Sequence, residues 1–99
     1  MLERDIERKV TLYARKKNFL TYKFVSPSNR SVPDRLFISP SGAIFFVEFK
    51  QSGKCLSKLQ NITFQKFNIR KIPIKVVDNY EKGKTIIDAY ITEPIPVSK

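Results

Sequence analysis

From Leu2 to about Lys17 the apolar positions recur every three to four residues. Ile6, Val10, Tyr13 and Ala14 gather on one side of a helical wheel, and Arg4, Arg8, Lys9, Arg15 and Lys16 occupy the other. The spacing predicts a first helix, closed by Asn18. The pattern then changes to alternation: Leu20, Tyr22 and Phe24 against Thr21 and Lys23, which predicts a strand from Phe19 to Val25. Ser26-Pro27-Ser28-Asn29-Arg30-Ser31 has the composition of a loop. A second strand continues through Leu36-Phe37-Ile38, Ser39 to Gly42 turns, and Ala43 to Lys50 forms a third strand. Phe45, Phe46, Val47 and Phe49 give that third strand apolar side chains on both faces, as expected of a central strand covered by helices.

After the exit loop Gln51-Ser52-Gly53-Lys54, a second helix is predicted from Ser57 to about Lys71. Ile74 to Val77 reads as a short buried strand, and Tyr80 to Ile91 as a weaker helix that Gly83 penalises. Pro94 and Pro96 favour an extended tail over Glu93 to Lys99. The order of helix, three-strand meander, helix, strand and helix predicts an α/β fold, a small mixed sheet flanked by helices.

Composition narrows the functions open to such a fold. With 99 residues there is room for one domain and one core. Histidine is absent, which removes zinc-finger and imidazole acid/base schemes, so catalysis would rest on carboxylates, lysines and a bound cation. The 19 Lys and Arg against 9 Asp and Glu give a formal net charge of +10, and nucleic acid is the natural partner for so basic a surface. A single cysteine, Cys55, cannot form an internal disulfide and points to a reducing compartment. No apolar run approaches the roughly 20 residues that cross a bilayer. The charged start Met1-Leu2-Glu3-Arg4-Asp5 does not resemble a secretory signal, so a cytoplasmic location is expected.

The chemistry concentrates between Pro33 and Lys50. In an antiparallel hairpin the start of one strand lies beside the end of the next, so Asp34 is expected to meet Glu48 and Lys50. Side chains alternate, placing Glu48 and Lys50 on one face and Phe49 on the other. Two carboxylates can hold a hard divalent cation such as Mg²⁺, and a nearby ammonium can orient water or share developing charge. The bland alternative is a surface turn with an ordinary cross-strand ion pair. Glu3 falls on the apolar arc of the first helix and Glu7 at its edge; a carboxylate there either needs a partner or serves only the helix N-terminus. Ser57 and Gln60 have capping-box spacing. Lys23, Arg30, Arg35 and Lys54 are candidate phosphate contacts, or ordinary surface cations. The basic face of the first helix is open to the same two readings.

Pro33-Asp34 followed by Glu48-x-Lys50 resembles the signature of the PD-(D/E)xK nuclease superfamily. Val32-Pro33-Asp34-Arg35, Val47-Glu48-Phe49-Lys50 and Leu56-Ser57-Lys58-Leu59-Gln60 resemble, more narrowly, the virus-type replication-repair nuclease (VRR-NUC) domains. The resemblance covers nearly the whole chain. It implies a restriction-endonuclease-like αβββαβ core and a single nuclease domain over residues 1–99. It also implies a Mg²⁺- or Mn²⁺-dependent endonuclease with Glu3, Asp34, Glu48 and the Phe49 carbonyl at the metal, Glu7 being the fallback for Glu3. Lys50 would then act on the attacking water, and Gln60 would face the site. Stand-alone relatives of phage type imply a homodimer that cuts four-way (Holliday) DNA junctions, with Leu12, Ile86, Ile87, Tyr90 and Ile91 as candidate dimer surface, the last four equally suited to a core. Two departures stand out. Ser31 occupies a place where relatives carry glycine, and Arg70-Lys71-Ile72-Pro73 replaces a glycine-containing helix exit.

Two rival functions follow from the same residues. A non-catalytic basic nucleic-acid-binding module would use the carboxylates only as partners for lysines. A restriction-type endonuclease would cut linear duplex and ignore branching.

Overall fold

A computed structural model describes residues 1–91. Its elements run α1 (Glu3–Lys16), β1 (Leu20–Lys23), β2 (Arg35–Ile38), β3 (Ile44–Phe49), α2 (Lys58–Ile69), β4 (Ile74–Val77) and α3 (Tyr80–Ile91). This is the expected order. The extended tail expected over Glu93 to Lys99 lies outside the described residues.

The strands form one sheet in the order β1-β2-β3-β4. The first two pairings are antiparallel and β3–β4 is parallel, so α2 serves as the crossover. One face carries Phe37, Phe45, Val47, Phe49 and Val77, which pack with Ile6, Val10 and Ala14 of α1 and Ile87 of α3 into the core. Aromatic rings fill its centre: Phe45 stacks between Phe37 and Tyr90, with centroids 5.4 and 4.1 Å away. The opposite face carries Phe46 and Glu48 and receives α2, whose Phe67 meets Phe46 edge-on at 5.4 Å. β3 is therefore the central strand between two layers of helix, as its double-sided apolar pattern predicts.

Both well-defined helix ends use a residue in the left-handed region. Asn18 (φ 68°) follows α1, with its N–H donating to the Arg15 carbonyl and that of Phe19 to the Ala14 carbonyl. Lys71 (φ 61°) follows α2 with the equivalent bonds to Asn68 and from Ile72 to Phe67. These are Schellman motifs. Lys71 thus takes the glycine-favouring position itself, and α2 stops at Ile69 instead of reaching Lys71.

Several expectations need correction. β1 is shorter than Phe19 to Val25, and its apolar alternation faces the wrong way for burial: Leu20 and Tyr22 are 54% and 55% exposed, while Thr21 is buried. β1 is an edge strand, and its Leu20 and Tyr22 lie on the α2 side of the sheet. β4 is half-buried for most of its length, because it is the other edge. Gly83 does not weaken α3 to no purpose. A Cβ built there would stand 2.5 Å from Val10 Cγ2, so the glycine lets α3 approach α1. The approach is fixed by Tyr13 on α1, whose hydroxyl donates to Asp88 on α3. Of the candidate dimer surface, Ile87 is core and Ile86 and Tyr90 pack against it, whereas Leu12 and Ile91 are exposed.

Candidate active site

The β2–β3 register pairs Arg35 with Val47, which sets Asp34 opposite Glu48. The Asp34 N–H donates to the Val47 carbonyl at 3.1 Å, carrying the ladder one step past β2. In return the Phe49 N–H donates to Asp34 Oδ2 at 2.8 Å. Asp34 is thereby held by backbone at both ends, with its carboxylate against the Phe49 peptide. Pro33, fully buried just before it, helps fix the direction of entry.

Glu48 is 3% exposed. Its Oε2 accepts from Gln60 Nε2 at 2.9 Å and lies 3.6 Å from Lys50 Nζ. Its Oε1 is buried and has no hydrogen-bond partner. Burial, and next the neighbouring Asp34 charge, push the Glu48 carboxyl up to about 7, while the Gln60 bond and Lys50 pull the other way. Asp34 is raised as well, first by burial, then by Glu7 and Glu3, and is lowered by the Phe49 N–H. The Asp34 charge beside Glu48, together with a buried Glu48 oxygen that has no hydrogen-bond partner, makes a donor pair that a cation would stabilise.

That donor set suits a hard divalent ion. Mg²⁺ takes one or two carboxylates and fills its other positions with water and substrate phosphate. Among the described residues no three acidic or cysteine side chains converge closely enough to form a cage.

Gln60 serves two masters through its two amide atoms. Oε1 accepts from the Ser57 N–H at 3.0 Å and the Ser57 hydroxyl accepts from the Gln60 N–H at 3.1 Å, closing the capping box. Nε2 is thereby aimed at Glu48. One side chain thus closes the cap and contacts Glu48.

The remaining predicted residues divide. Glu3 is exposed, not inward as its helical-wheel position suggests, because it is the first residue of α1 and precedes the buried stripe that starts at Ile6. It still raises the pKa of both Asp34 and Glu48. Glu7 is committed elsewhere: its Oε2 accepts from Arg35 Nε at 2.7 Å and lies 3.0 Å from Lys23 Nζ. Lys23 and Arg35 thus stand together at α1, on the core side of the sheet. Arg30 and Lys54 are exposed on loops, and among the described residues no ion pair or side-chain hydrogen bond involves them. Ser31 does not have a positive φ. It is buried, and its hydroxyl bonds Asn29 Oδ1 and Thr63 Oγ1, tying the loop to α2. Serine here contributes a tether, not strain. Sequence reasoning missed this tether and the Phe49–Asp34 bond; only the pairing register signals the latter.

No family model matches the chain. A solved structure described as "VRR_NUC domain" superposes with a TM-score of 0.80 at 24% identity, covering 89% of this chain and 96% of that one. The chain has that fold. A curated protein, "Putative nuclease p44" of Acyrthosiphon pisum secondary endosymbiont phage 1, is 48% identical over 52 residues. The match takes in 52% of this chain and spans about half the length of that relative, 56% of it.

Proposed function

We propose that this chain, with the fold of a VRR_NUC domain, is a divalent-metal-dependent endodeoxyribonuclease. The observation that carries the reading is the buried, unpartnered Oε1 of Glu48 placed across the ladder from Asp34. The phage relative named as a nuclease supports it, and so does the net charge of +10.

Asp34 and Glu48 would hold Mg²⁺ or Mn²⁺, with the Phe49 carbonyl completing the protein contribution and Glu3 acting through solvent at the rim. A bound divalent ion supplies Lewis acidity at a phosphate oxygen and lowers the pKa of a coordinated water. Lys50, on the same strand face as Glu48, would as an ammonium orient the water that attacks phosphorus and balance the charge of the phosphorane as the O3′ leaves, or would in its neutral form take the proton of that water. Gln60 holds Glu48 in one orientation from the capped start of α2. Lys23, Arg30, Arg35 and Lys54 contact substrate phosphates. Residues 1–99 act as one nuclease domain.

The substrate we favour is branched DNA, a four-way junction above all, cut by a homodimer. One chain brings one acidic pair, and a junction needs two symmetric cuts, which two-fold pairing supplies. The final helix turns Ile87 into the core and leaves Ile91 exposed. The sheet face bearing Leu20, Tyr22 and Ile44, each more than half exposed, is one apolar surface that such pairing could use. No helix among the described residues is long and apolar enough to cross a membrane.

The test is incubation of purified protein with labelled four-way junction and matched linear duplex, with Mg²⁺ or with chelator. Metal-dependent nicking of the junction, abolished in Asp34→Ala and Lys50→Ala, supports the reading. Equal cutting of duplex moves the assignment to a restriction-type enzyme, and binding without product moves it to a non-catalytic module.

A further inference from the structure

The flank of α1 beside its buried Ile6, Val10 and Ala14 carries Arg4, Arg8, Thr11 and Arg15, spaced by three or four residues along one stripe. With Glu7, Leu12, Lys23 and Arg35 they line a groove of about 270 Å³. Five cations face a single carboxylate there. That carboxylate is already engaged by Lys23 and Arg35, whereas none of Arg4, Arg8 and Arg15 forms an ion pair among the described residues.

Thr11 is the second observation. It is 4% exposed, lines the groove, and its hydroxyl is buried with no hydrogen-bond partner. A buried unsatisfied hydroxyl costs on the order of 1–3 kcal/mol, a penalty that valine, of nearly the same shape, would avoid. The hydroxyl has no access to solvent as the groove stands, and it is accounted for if the exposed side chains lining the groove part and admit an acceptor oxygen from outside the chain. A second cavity, lined by Leu2, Glu3, Arg4, Glu7 and Gln51, shares Arg4 and Glu7 with the first. It reaches Gln51, which follows Lys50 in the chain.

We propose that this groove is a track for the backbone phosphates of one DNA strand, leading away from the phosphate held at the acidic pair. In it the Thr11 hydroxyl donates to a phosphate oxygen, and Arg8 and Arg15 neutralise flanking phosphates. Eleven helical steps separate Arg4 from Arg15, roughly 16 Å, or on the order of five steps of a strand rising 3.4 Å per nucleotide. Glu7 holds the Arg35 guanidinium and the Lys23 ammonium at the opposite wall. The identity of the ligand as DNA rests on the nuclease reading, but the test below does not depend on cleavage.

Fluorescence anisotropy of a fluorescein-labelled four-way junction in chelator, across a series of NaCl concentrations, separates the track from general charge. Thr11→Val should weaken binding severalfold while leaving Tm unchanged or higher. The pair Arg8→Gln with Arg15→Gln should weaken binding at least tenfold and reduce the slope of log affinity against log salt by about 1.8, two phosphate contacts at roughly 0.9 each. The pair Lys66→Gln with Lys82→Gln, which removes equal charge elsewhere, should change affinity little. The proposal is overturned if the arginine pair behaves like the lysine pair, or if Thr11→Val binds DNA as wild type does. Cleavage is scored separately: a protein that binds through Arg8 and Arg15 but cuts nothing in Mg²⁺ keeps the track and loses the nuclease assignment.

Discussion

Gln60 Nε2 donates to Glu48 Oε2 at 2.9 Å, while the other amide atom of the same side chain caps the helix on which it sits. The start of α2 and the orientation of the buried carboxylate are therefore one arrangement. Folding the capping box places a donor on Glu48 at no extra conformational cost.

This coupling can be taken apart by substitution. Ser57→Ala should cost about 1 kcal/mol by loss of the cap and leave cleavage per folded molecule near wild type. Gln60→Ala should cost similar stability and in addition lower cleavage or metal affinity about 10–100-fold, the usual effect of removing a group that orients a ligand. Urea midpoints and junction cleavage, measured on both variants, check the split. Equal activity loss in the two would mean that helix capping alone matters.

The raised Glu48 carboxyl predicts how metal-free protein responds to pH. Its folded pKa, about 7, lies above the ordinary value of 4.5. A group raised on folding stabilises the protein while it is protonated, and that contribution is lost as pH climbs from the unfolded value through the folded one. In chelator, Tm should thus fall between about pH 4.5 and 7, an effect that Asp34, shifted in the same direction, reinforces. Added Mg²⁺ or Mn²⁺ should raise Tm at pH 8 and do little at pH 5, since an ion that binds only the folded state stabilises it. Glu48→Gln should flatten both responses in a thermal scan.

Gly83 is predicted to resist replacement. Alanine favours a helix over glycine by about 1 kcal/mol, yet its Cβ would meet Val10 at 2.5 Å. Overpacking of this kind costs about 1–3 kcal/mol, so Gly83→Ala should lower the urea midpoint, and pairing it with Val10→Ala should recover part of the loss.

At the exit of α2 the opposite substitution should help. Lys71 holds φ 61°, a conformation that costs a residue with a Cβ about 1 kcal/mol more than glycine. Lys71→Gly should raise stability by roughly 0.5–1 kcal/mol without touching the acidic pair. Equilibrium unfolding in urea decides it.

The sequence made much of this legible. The change from 3.6-residue to two-residue periodicity marked the step from α1 to β1, turn and capping residues ordered the later elements, and hairpin logic put Asp34 opposite Glu48. It misled where a face has no cover. Leu20 and Tyr22 alternate like buried residues, but α2 covers the β3–β4 half of that face and leaves β1 exposed. It also misled where an element begins: Glu3 shares the apolar arc of α1 yet precedes the first buried turn. Long-range choices left no local trace. That Glu7 would pair with Arg35 across 28 positions, or Ser31 with Thr63 across 32, depends on packing that no periodicity encodes.

The account stands on one physical claim: Asp34 and Glu48 share a divalent cation. Calorimetric titration of Mn²⁺ into the chelator-stripped protein at pH 8 addresses it without any DNA. Binding to wild type that vanishes in both Asp34→Asn and Glu48→Gln, each shown to be folded by circular dichroism, is the predicted result. Undiminished Mn²⁺ binding by either folded variant, or none by wild type, would contradict it.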